Sequence, residues 1–482
     1  MRRWQHCWSR FVAVIGAMVC LGSVRAAKPN ILFVFLDDFG WKDASFMGSD
    51  FYETPEIDRL ASEGMVFTDA YAGAANCAPS RACLLSGQYS PRHEIYNVGT
   101  GPRGKAAYRR LEHIPGTDVL DPEITTWAEL AQAAGYRTAS IGKWHLSSDP
   151  LDYGFDVNVG GGHSGSPPRG YYPPHPRVPG LEDAPAGEYL TDRLTEESIR
   201  FIQSSGDRPW LLYLTHFAVH TPLNAKRELL AKYEAKEPGQ LHHHTAMATM
   251  IQAVDDGVGR IRRTLEVSGQ WDETIVIFYS DNGGYGPATD MDPLKGYKGT
   301  YYEGGIRVPF FVRWPGVTEP GTRSAEPITA VDLLPTLCGM MGTPPAEGQV
   351  VDGVDLVPLL RGDVNRLVER SIFWHFPAYL QAYRGVIDEQ RDPLFRSRPC
   401  SVIRQGRWKL HHYFEDNAFE LYDLSTDMGE RYNLAALRKP VLERLLADLN
   451  AWRRSTGAPV PGKLNVAYDP QAEKEAIDRT RP

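Results

Sequence analysis

The sequence predicts an α/β fold: a large mixed, mostly parallel sheet flanked by helices, followed by a smaller C-terminal subdomain with an antiparallel sheet and a helix. Three observations support this prediction. Continuous apolar runs recur up to about residue 313, and such runs are typical of parallel strands buried on both faces. Helical segments separate these runs. After about residue 362, short alternating segments replace them, as in an antiparallel sheet.

The elements follow in chain order. Strands are predicted at residues 30–36, 136–141, 209–215, 274–280 and 307–313, and helices from residue 54, near 126–134 and at 245–265. The later short strands are predicted at 400–404, 408–413 and 420–422, with a helix at 439–455. The polar tail after Gly462 is predicted to be extended.

Composition limits the possible function classes. The chain has 482 residues, a formal net charge of −8, 42% hydrophobic residues and 23% charged residues. These values are typical of a globular protein with one large domain or two unequal domains. An acidic chain is a poor candidate for binding nucleic acid, so no nucleic-acid partner is expected.

The N-terminus has the pattern of a signal peptide over residues 1–26. Arg2, Arg3 and Arg10 precede an apolar stretch at residues 11–22, which is too short for an ordinary membrane span. We therefore expect an exported protein without stable membrane insertion. The chain contains no Asn-x-Ser/Thr sequon, which favours a bacterial periplasmic or secreted location over a eukaryotic secretory one.

Oxygen-bearing side chains follow two of the predicted strands. Asp37 and Asp38 end the first strand, and Asp281 and Asn282 end the fourth. Ligand sites in such sheets gather at the carboxyl ends of the strands, and adjacent carboxylates repel each other unless a cation lies between them. An all-oxygen set favours Ca²⁺ or Mg²⁺ over zinc. The simpler alternative for the aspartate pair is an exposed turn.

Cys77 begins a predicted helix, with Arg81 one turn later. The free N–H groups of a helix start and a nearby guanidinium make a site suited to an anion. The alternative at this stage is a buried structural cysteine.

The wider motif removes this ambiguity. The pattern Cys77-x-Pro79-Ser80-Arg81, followed by Leu-Ser-Gly at 85–87, resembles the first signature of the type I sulfatases, in the alkaline phosphatase superfamily. Residues 135–145 resemble the second signature. The resemblance implies a sulfatase catalytic domain at 27–365 and a small C-terminal subdomain at 366–482. It also implies that a formylglycine-generating maturation enzyme converts Cys77 to 3-oxoalanine (formylglycine), whose hydrate is the nucleophile.

The same resemblance implies roles for the remaining polar residues. Asp37, Asp38, Asp281, Asn282 and the oxygen derived from Cys77 would hold Ca²⁺, with Mg²⁺ possible. Arg81 and Lys143 would position the hydrate oxygen. Lys298 and His220 would bind the sulfate, one of them protonating the leaving oxygen, and His145 would take the last hydroxyl proton. Lys143 and His375 complete the expected substrate-binding set.

The expected substrate is a sulfated polysaccharide or oligosaccharide. Tyr96, Asn97, His163 and His375 are candidate sugar contacts, and the Gly/Pro-rich loop at residues 160–180 is a candidate pocket rim. The segment 378–399 contains Arg384, Arg391, Arg396 and Arg398, and it is either an anionic-sugar site or a solvated loop. His216 is expected to be a hydrogen-bonded neighbour, and residues 242–244 a solvated histidine run instead of a metal site.

Three alternatives remain open. A phosphodiester or phosphonate monoester hydrolase of the same superfamily would use the same cationic shell. A binding protein for sulfated glycans would keep Cys77 as a thiol and be catalytically inactive. A Cys-His hydrolase would use a Cys77 thiolate, but it leaves the four metal-type oxygens without a role.

Overall fold

The computed structural model describes residues 28–167, 169–176, 178–383, 386 and 391–480. The strands of this part of the chain are Asn30–Leu36 (β1), Met65–Phe67 (β2), Ala70–Tyr71 (β3), Arg137–Gly142 (β4), Val157–Val159 (β5), Trp210–Thr215 (β6), Thr274–Ser280 (β7), Phe310–Arg313 (β8), Thr322–Ser324 (β9), Ile328–Thr329 (β10), Ser371–Phe376 (β11), Leu380–Gln381 (β12), Phe395–Ser397 (β13), Cys400–Gln405 (β14), Trp408–Tyr413 (β15) and Ala418–Asp423 (β16).

The α-helices of the same residues are Pro55–Ser62 (α1), Cys77–Ser86 (α2), Ser90–His93 (α3), Trp127–Ala133 (α4), Leu190–Gln203 (α5), Leu230–Glu234 (α6), Thr245–Val267 (α7), Glu303–Ile306 (α8), Leu333–Met341 (α9), Val357–Leu360 (α10), Lys439–Thr456 (α11) and Pro470–Asp478 (α12). None of them has the length and apolar character that a membrane crossing requires. The predicted signal peptide at 1–26 lies outside the described residues.

The main sheet has eight strands in the order β5-β4-β6-β1-β7-β8-β2-β9. Strands β5, β4, β6, β1 and β7 are parallel, whereas β8 pairs antiparallel with both β7 and β2. The predicted mixed, mostly parallel sheet is therefore confirmed. β4, β6, β1 and β7 are consecutive in the sheet, so their carboxyl ends meet at one edge.

Strand β1 shows why these apolar runs form buried strands. Side chains alternate between the two faces of a strand. Ile31, Phe33 and Phe35 enter one hydrophobic core, while Leu32, Val34 and Leu36 enter the core on the opposite face. All seven residues of β1 are buried, which explains why the sequence shows an uninterrupted apolar run.

The C-terminal sheet is antiparallel, in the order β11-β14-β15-β16, as the alternating pattern predicts. The predicted boundary between residues 365 and 366 stays a prediction. The expectation of an extended tail is wrong, because helix α12 lies there. Asp469 caps this helix by accepting from two backbone N–H groups, Pro470 occupies its first turn, and Glu473 forms an ion pair with Arg398 (2.6 Å).

A buried ionic cluster joins the C-terminal sheet to helix α8. Lys409 of β15 donates to Glu303 of α8 (2.8 Å) and lies 3.0 Å from Glu430. Burial opposes ionisation of Glu303, but Lys409 lowers the pKa of that carboxyl to about 2. Removing Lys409 would take the shared cation from the buried carboxylates of Glu303 and Glu430, and breaking a buried ion pair in this way typically costs about 3–5 kcal/mol. These residues therefore have a structural role.

The histidine run at 242–244 differs from the solvated face that the sequence suggested. His242 is completely buried, stacks on Tyr52 with 4.5 Å between ring centroids, and makes hydrogen bonds with Ser49 and the Asp290 carbonyl. His244 caps helix α7 by accepting from the Met247 N–H. The expectation is wrong for His242, because the loop before α7 folds onto the core.

We expect the free energy of unfolding to fall as the pH is lowered from about 6.5 towards 3. Burial lowers the pKa of His93, His216 and His375 to about 3, so between these limits only the unfolded imidazoles take up protons. Each such group reduces stability by up to about 1.4 kcal/mol per pH unit. Chemical denaturation at a series of pH values checks this, and His375→Gln should flatten the dependence. An equally steep dependence in this variant would contradict the assignment.

Candidate active site

The polar residues that follow adjacent strands converge at the carboxyl edge of the main sheet. Asp37 and Asp38 follow β1, Lys143 follows β4, and Asp281 follows β7. Gly142, the last residue of β4, has a φ of 115°, and a Cβ there would lie 1.9 Å from the Thr215 carbonyl oxygen. Glycine at this position therefore allows the ends of β4 and β6 to approach closely.

The oxygen-rich side of the site has the donor set of a hard cation. Asp37, Asp38, Asp281 and Asn282 are all at most 1% exposed. The Asn282 amide nitrogen donates to Asp38 (2.8 Å). The amide oxygen of Asn282 and Oδ1 of Asp37 are buried, and neither has a hydrogen-bond partner in the part of the chain that the structure describes. Unpartnered buried oxygens are costly unless an ion or a ligand satisfies them. These residues fit Ca²⁺ or Mg²⁺.

Cys77 and His220 lie beside the carboxylates of this cluster. Ligand atoms of Asp37, Asp38, Cys77 and His220 all lie within 4.8 Å of one another. Burial raises the pKa of the Asp37 carboxyl well above its usual value even beside Lys143, whose ammonium lies 2.6 Å away. Further positive charge is needed to keep this carboxyl ionised, and a bound cation would supply it.

Cys77 and Arg81 lie on one turn of helix α2. Cys77 is the first residue of the helix and is 1% exposed. The Arg81 guanidinium is fully buried and donates to Asp281 (3.0 Å), the Lys143 carbonyl (2.9 Å) and the Thr215 hydroxyl (2.6 Å). Arg81 therefore fixes α2 to the ends of β4, β6 and β7.

Lys298 pairs with the second aspartate. Its ammonium donates to Asp38 at 2.7 Å. Burial would lower the pKa of Lys298, but Asp38 raises it well above its usual value. Burial would likewise raise the pKa of Asp38, yet Lys298 and His220 hold it below its usual value. Both groups are therefore ionised at neutral pH.

Two histidines complete the cluster. His145 is 7% exposed, and burial, together with the charges of Lys143 and Arg81, lowers its pKa well below the usual value, so its imidazole is neutral. His220 Nδ1 donates to the Thr221 carbonyl (2.7 Å), and its Nε2 lies 3.8 Å from Asp38. Burial and the charge of Lys298 also lower the pKa of His220.

Asp38 and His145 have left-handed backbones, with φ of 60° and 69°. Non-glycine residues in this region cost about 1–3 kcal/mol, and they persist where surrounding contacts hold them. The Asp38 N–H donates to Asp281 (3.2 Å) and the His145 N–H donates to the Gly162 carbonyl (2.9 Å). The backbone at these two residues is therefore locally unfavourable, and the surrounding hydrogen bonds hold it in the conformation that places both side chains in the site.

The structure brings together ten of the residues singled out in the sequence. They are Asp37, Asp38, Cys77, Arg81, Lys143, His145, His220, Asp281, Asn282 and Lys298. The loop at 160–180 also reaches the site: Gly165 packs on the His145 ring, and the Tyr171 hydroxyl donates to the His220 carbonyl (2.9 Å). Both contacts agree with the expected pocket rim.

His375 must be removed from the set. It is 2% exposed, and its ring nitrogens bond to the Ser401 hydroxyl (2.8 Å) and the Pro459 carbonyl (2.9 Å), so it has no free atom for a sugar. Asn97 is buried and accepts from Asn76 (3.0 Å), whereas His163 is half-exposed and lies 3.4 Å from Asp118. The expected hydrogen bond of His216 is absent, since neither of its buried ring nitrogens has a partner among the described residues.

Sequence reasoning missed several residues near the site. Thr215 holds Arg81, and only its position at the end of β6 could have indicated this. Tyr285 and Tyr383 border Lys298 and Asp38, whose charges act on both hydroxyls. Arg103 lies in a polar loop that carries no motif.

Comparison with known families gives the decisive finding. The family model described as Sulfatase matches residues 29–343. The chain belongs to the sulfatase family. A second model, N-sulphoglucosamine sulphohydrolase, C-terminal, matches residues 297–454 of this sulfatase. The enzyme is accordingly a sulfuric ester hydrolase, and its site residues occupy the region that the first model covers.

Curated relatives span most of the sulfatase. A sulfatase of Formosa agariphila is 32% identical over 94% of both chains. The steryl-sulfatase of Mus musculus is 30% identical over 90% of this chain and 84% of its own. The N-acetylgalactosamine-6-sulfatase of Sus scrofa is 31% identical over 86% of this chain and 78% of its own.

Solved structures agree on the fold. The structure of Ps i-CgsB in complex with k-i-k-neocarrahexaose has a TM-score of 0.73 and 28% identity, covering 94% of this sulfatase and 97% of that chain. The phosphonate monoester hydrolase of Agrobacterium radiobacter has a TM-score of 0.63 and 22% identity, covering 89% of this chain and 96% of its own. The second likeness shows the fold alone.

Proposed function

We propose that this sulfatase hydrolyses a sulfate ester on a carbohydrate, using formylglycine made from Cys77 and a divalent cation, Ca²⁺ or alternatively Mg²⁺. The observation that carries the proposal is that Cys77 lies against an oxygen cluster with two unpartnered oxygens among the described residues, and that three buried cations, Arg81, Lys143 and Lys298, pair with the same cluster. This combination provides for a metal ion, a nucleophile and an anionic ester in one place.

Formylglycine supplies a hydrated aldehyde whose oxygen attacks sulfur and which then releases sulfate as the carbonyl re-forms. A divalent cation held by Asp37, Asp38, Asp281 and Asn282 would stabilise the ionised nucleophile and offset the sulfate charge. A maturation enzyme that modifies Cys77 is part of the proposal, because cysteine does not become an aldehyde unaided.

The protein's own residues bind the ester and move protons. Arg81 and Lys143 position the nucleophilic oxygen beside residue 77, while Lys298 and His220 bind the sulfate oxygens. His220 or Lys298 gives a proton to the leaving alcohol as the S–O bond breaks. His145, whose imidazole is neutral, accepts the remaining hydroxyl proton when sulfate departs.

A carbohydrate substrate is the narrower part of the proposal. It is supported by Ps i-CgsB, which is bound to an oligosaccharide, and by the relative named for N-acetylgalactosamine. Another relative is named steryl-sulfatase, so a carbohydrate substrate does not follow from membership of the family alone. With the signal-peptide pattern of residues 1–26, we propose an exported, periplasmic or secreted, enzyme of polysaccharide degradation.

The mass of the tryptic peptide of residues 60–81 tests the nucleophile. The peptide contains Cys77 as its single cysteine. After coexpression with a maturation enzyme, we expect the mass of an aldehyde in place of the thiol. An intact thiol, when a control sulfatase is modified in the same cells, would favour the inactive glycan-binding scaffold.

Matched esters test the reaction class. Phosphonate monoester hydrolases share the fold, and their substrates would suit the same cationic shell. We expect modified protein to hydrolyse 4-nitrophenyl sulfate with a kcat/KM at least about tenfold above that for 4-nitrophenyl phosphate or phenylphosphonate monoesters. The reverse preference would support the phosphonate hydrolase and overturn the sulfatase assignment.

A further inference from the structure

The arginines of segment 378–399 divide into two kinds. Arg384 lies outside the described residues. Arg391 and Arg398 are held by carboxylates, namely Asp416 for the first and Asp392, Glu415 and Glu473 for the second. Arg396 has no carboxylate within ion-pair distance among the residues that the structure describes, although it is only partly exposed. Its charge is therefore available to a ligand.

Arg396 adjoins the catalytic centre directly. One nitrogen of its guanidinium donates to the carbonyl of Lys298 (3.2 Å), and Nε donates to the carbonyl of Gln381 (2.9 Å). The guanidinium carbon lies 3.8 Å from the ring centroid of Tyr383. These contacts orient the guanidinium beside the residue that we assign to sulfate binding, while leaving other N–H donors free.

Arg103 approaches the same space from a different loop. Its N–H donates to the Tyr379 carbonyl (3.1 Å), and the next residue, Gly104, packs on the ring of Phe395, which precedes Arg396. Burial and the charge of Arg396 lower the pKa of the Arg103 guanidinium. Within the described chain, Arg103 also has no acidic partner at ion-pair distance.

The side chains of the catalytic centre, taken without the proposed divalent cation, carry no surplus positive charge. Each of its three cations already has a carboxylate: Lys143 has Asp37, Arg81 has Asp281 and Lys298 has Asp38. Arg103 and Arg396 thus add two uncompensated charges next to a balanced site. Holding like charges close together is unfavourable, and a bound anion offsets that cost.

An aromatic wall lies beside Arg396. The Tyr383 ring lies edge-on to Tyr285 at 5.1 Å and stacks with Tyr297 at 5.6 Å. Tyr285 and Tyr383 are partly exposed, and Tyr297 also lines a cleft of about 550 Å³. Exposed aromatic faces with nearby polar groups are typical of sites for ring-shaped organic ligands. A sugar therefore has both a surface to lie against and a charge to pair with.

We propose that Arg103 and Arg396 bind a second anionic group of the substrate, a carboxylate or a second sulfate, on the sugar that bears the scissile sulfate or on its neighbour. The proposal rests on the proposed function and narrows it to carbohydrates with two closely spaced anions. Sugars whose single anionic group is the scissile sulfate are expected to be poorer substrates than sugars with a second anionic group nearby.

Matched pairs of inhibitors test this proposal. The assay measures the inhibition constant of each compound against 4-nitrophenyl sulfate hydrolysis. Two pairs differ by one sulfate: galactose 6-sulfate and galactose 2,6-disulfate, and N-acetylgalactosamine 6-sulfate and its 4,6-disulfate. The third pair differs by one carboxylate: a monosulfated uronate disaccharide and its carboxyl-reduced form. In at least one pair, we expect the extra anion to lower the inhibition constant about tenfold, as charge-assisted hydrogen bonds to arginine can provide. The pair that responds distinguishes sulfate from carboxylate.

Arg396→Gln and Arg103→Gln should each remove the difference in inhibition constant between the two members of the responding pair. Arg366→Gln changes an exposed arginine outside the site and should preserve that difference. No difference in any pair for the wild-type protein, or a difference that survives both site substitutions, would overturn the proposal. If 4-nitrophenyl sulfate is not hydrolysed, the proposed function fails separately. In that case, the dissociation constants of the same pairs for the Cys77→Ala protein are compared by calorimetry, which tests the arginine site without turnover.

Discussion

Replacing Cys77 with alanine should lower kcat for sulfate ester hydrolysis by about 10⁵-fold or more, because removing an enzyme's nucleophile leaves only binding and electrostatic contributions. The side chain is buried at the start of helix α2, so the substitution removes one small group from the cluster without exposing new surface. Steady-state kinetics with 4-nitrophenyl sulfate, on protein coexpressed with a maturation enzyme, measures the loss.

Cys83→Ala is the matched control for this experiment. Cys83 lies in the same helix and is also buried, but its sulfur contacts His93 (3.3 Å) and the Gly73 carbonyl, and not the oxygen cluster. We expect this variant to retain kcat within about tenfold of the wild-type value, with some loss of stability from the small cavity. A Cys77→Ala protein as active as Cys83→Ala would refute the assigned nucleophile.

Much of the fold and the catalytic cluster could be predicted from the sequence because the signals are local. The apolar run of β1 and the Asp37–Asp38 pair that follows it lie within a few residues of each other. Parallel strands then bring such strand ends together whatever the length of the connections. For this reason Asp281 could be placed beside Asp38 from their positions alone, and their contact is confirmed.

Features that depend on tertiary packing could not be predicted in the same way. His375 and His242 look polar and available in the sequence, but both rings are buried by elements distant in the chain. The helical tail has a local start signal in Asp469 and Pro470, but its packing through contacts such as Glu473 with Arg398 depends on the folded surroundings. The sequence offers Arg396 as one arginine among four. What separates it from Arg391 and Arg398 is that it has no carboxylate partner among the described residues, and that is a property of the folded surroundings.

Removal of divalent cations should abolish turnover, and returning Ca²⁺ should restore both activity and thermal stability. A cation that binds the folded state alone stabilises it by about 2.7 kcal/mol at a concentration of 100 times its Kd. The expected ligands include two buried oxygens, on Asp37 and Asn282, that have no hydrogen-bond partner within the described residues, and the ion would relieve that cost. Melting temperature measured against Ca²⁺ and Mg²⁺ concentration gives a readout that is independent of catalysis.

The variants Asn282→Ala and Asp37→Asn should each lose most of the cation-induced rise in melting temperature. Asp352→Asn is the matched control, because this carboxylate pairs with Arg92 (2.8 Å) and the Tyr89 N–H (2.8 Å) instead of facing the cluster. This variant should melt at a lower temperature than the wild-type protein but keep the cation-induced rise in melting temperature. Equal responses in all three variants would place the cation elsewhere. One carboxylate oxygen of Asp37 and the amide oxygen of Asn282 would otherwise remain buried without partners among the described residues, and a bound ion would turn this destabilising arrangement into a binding site.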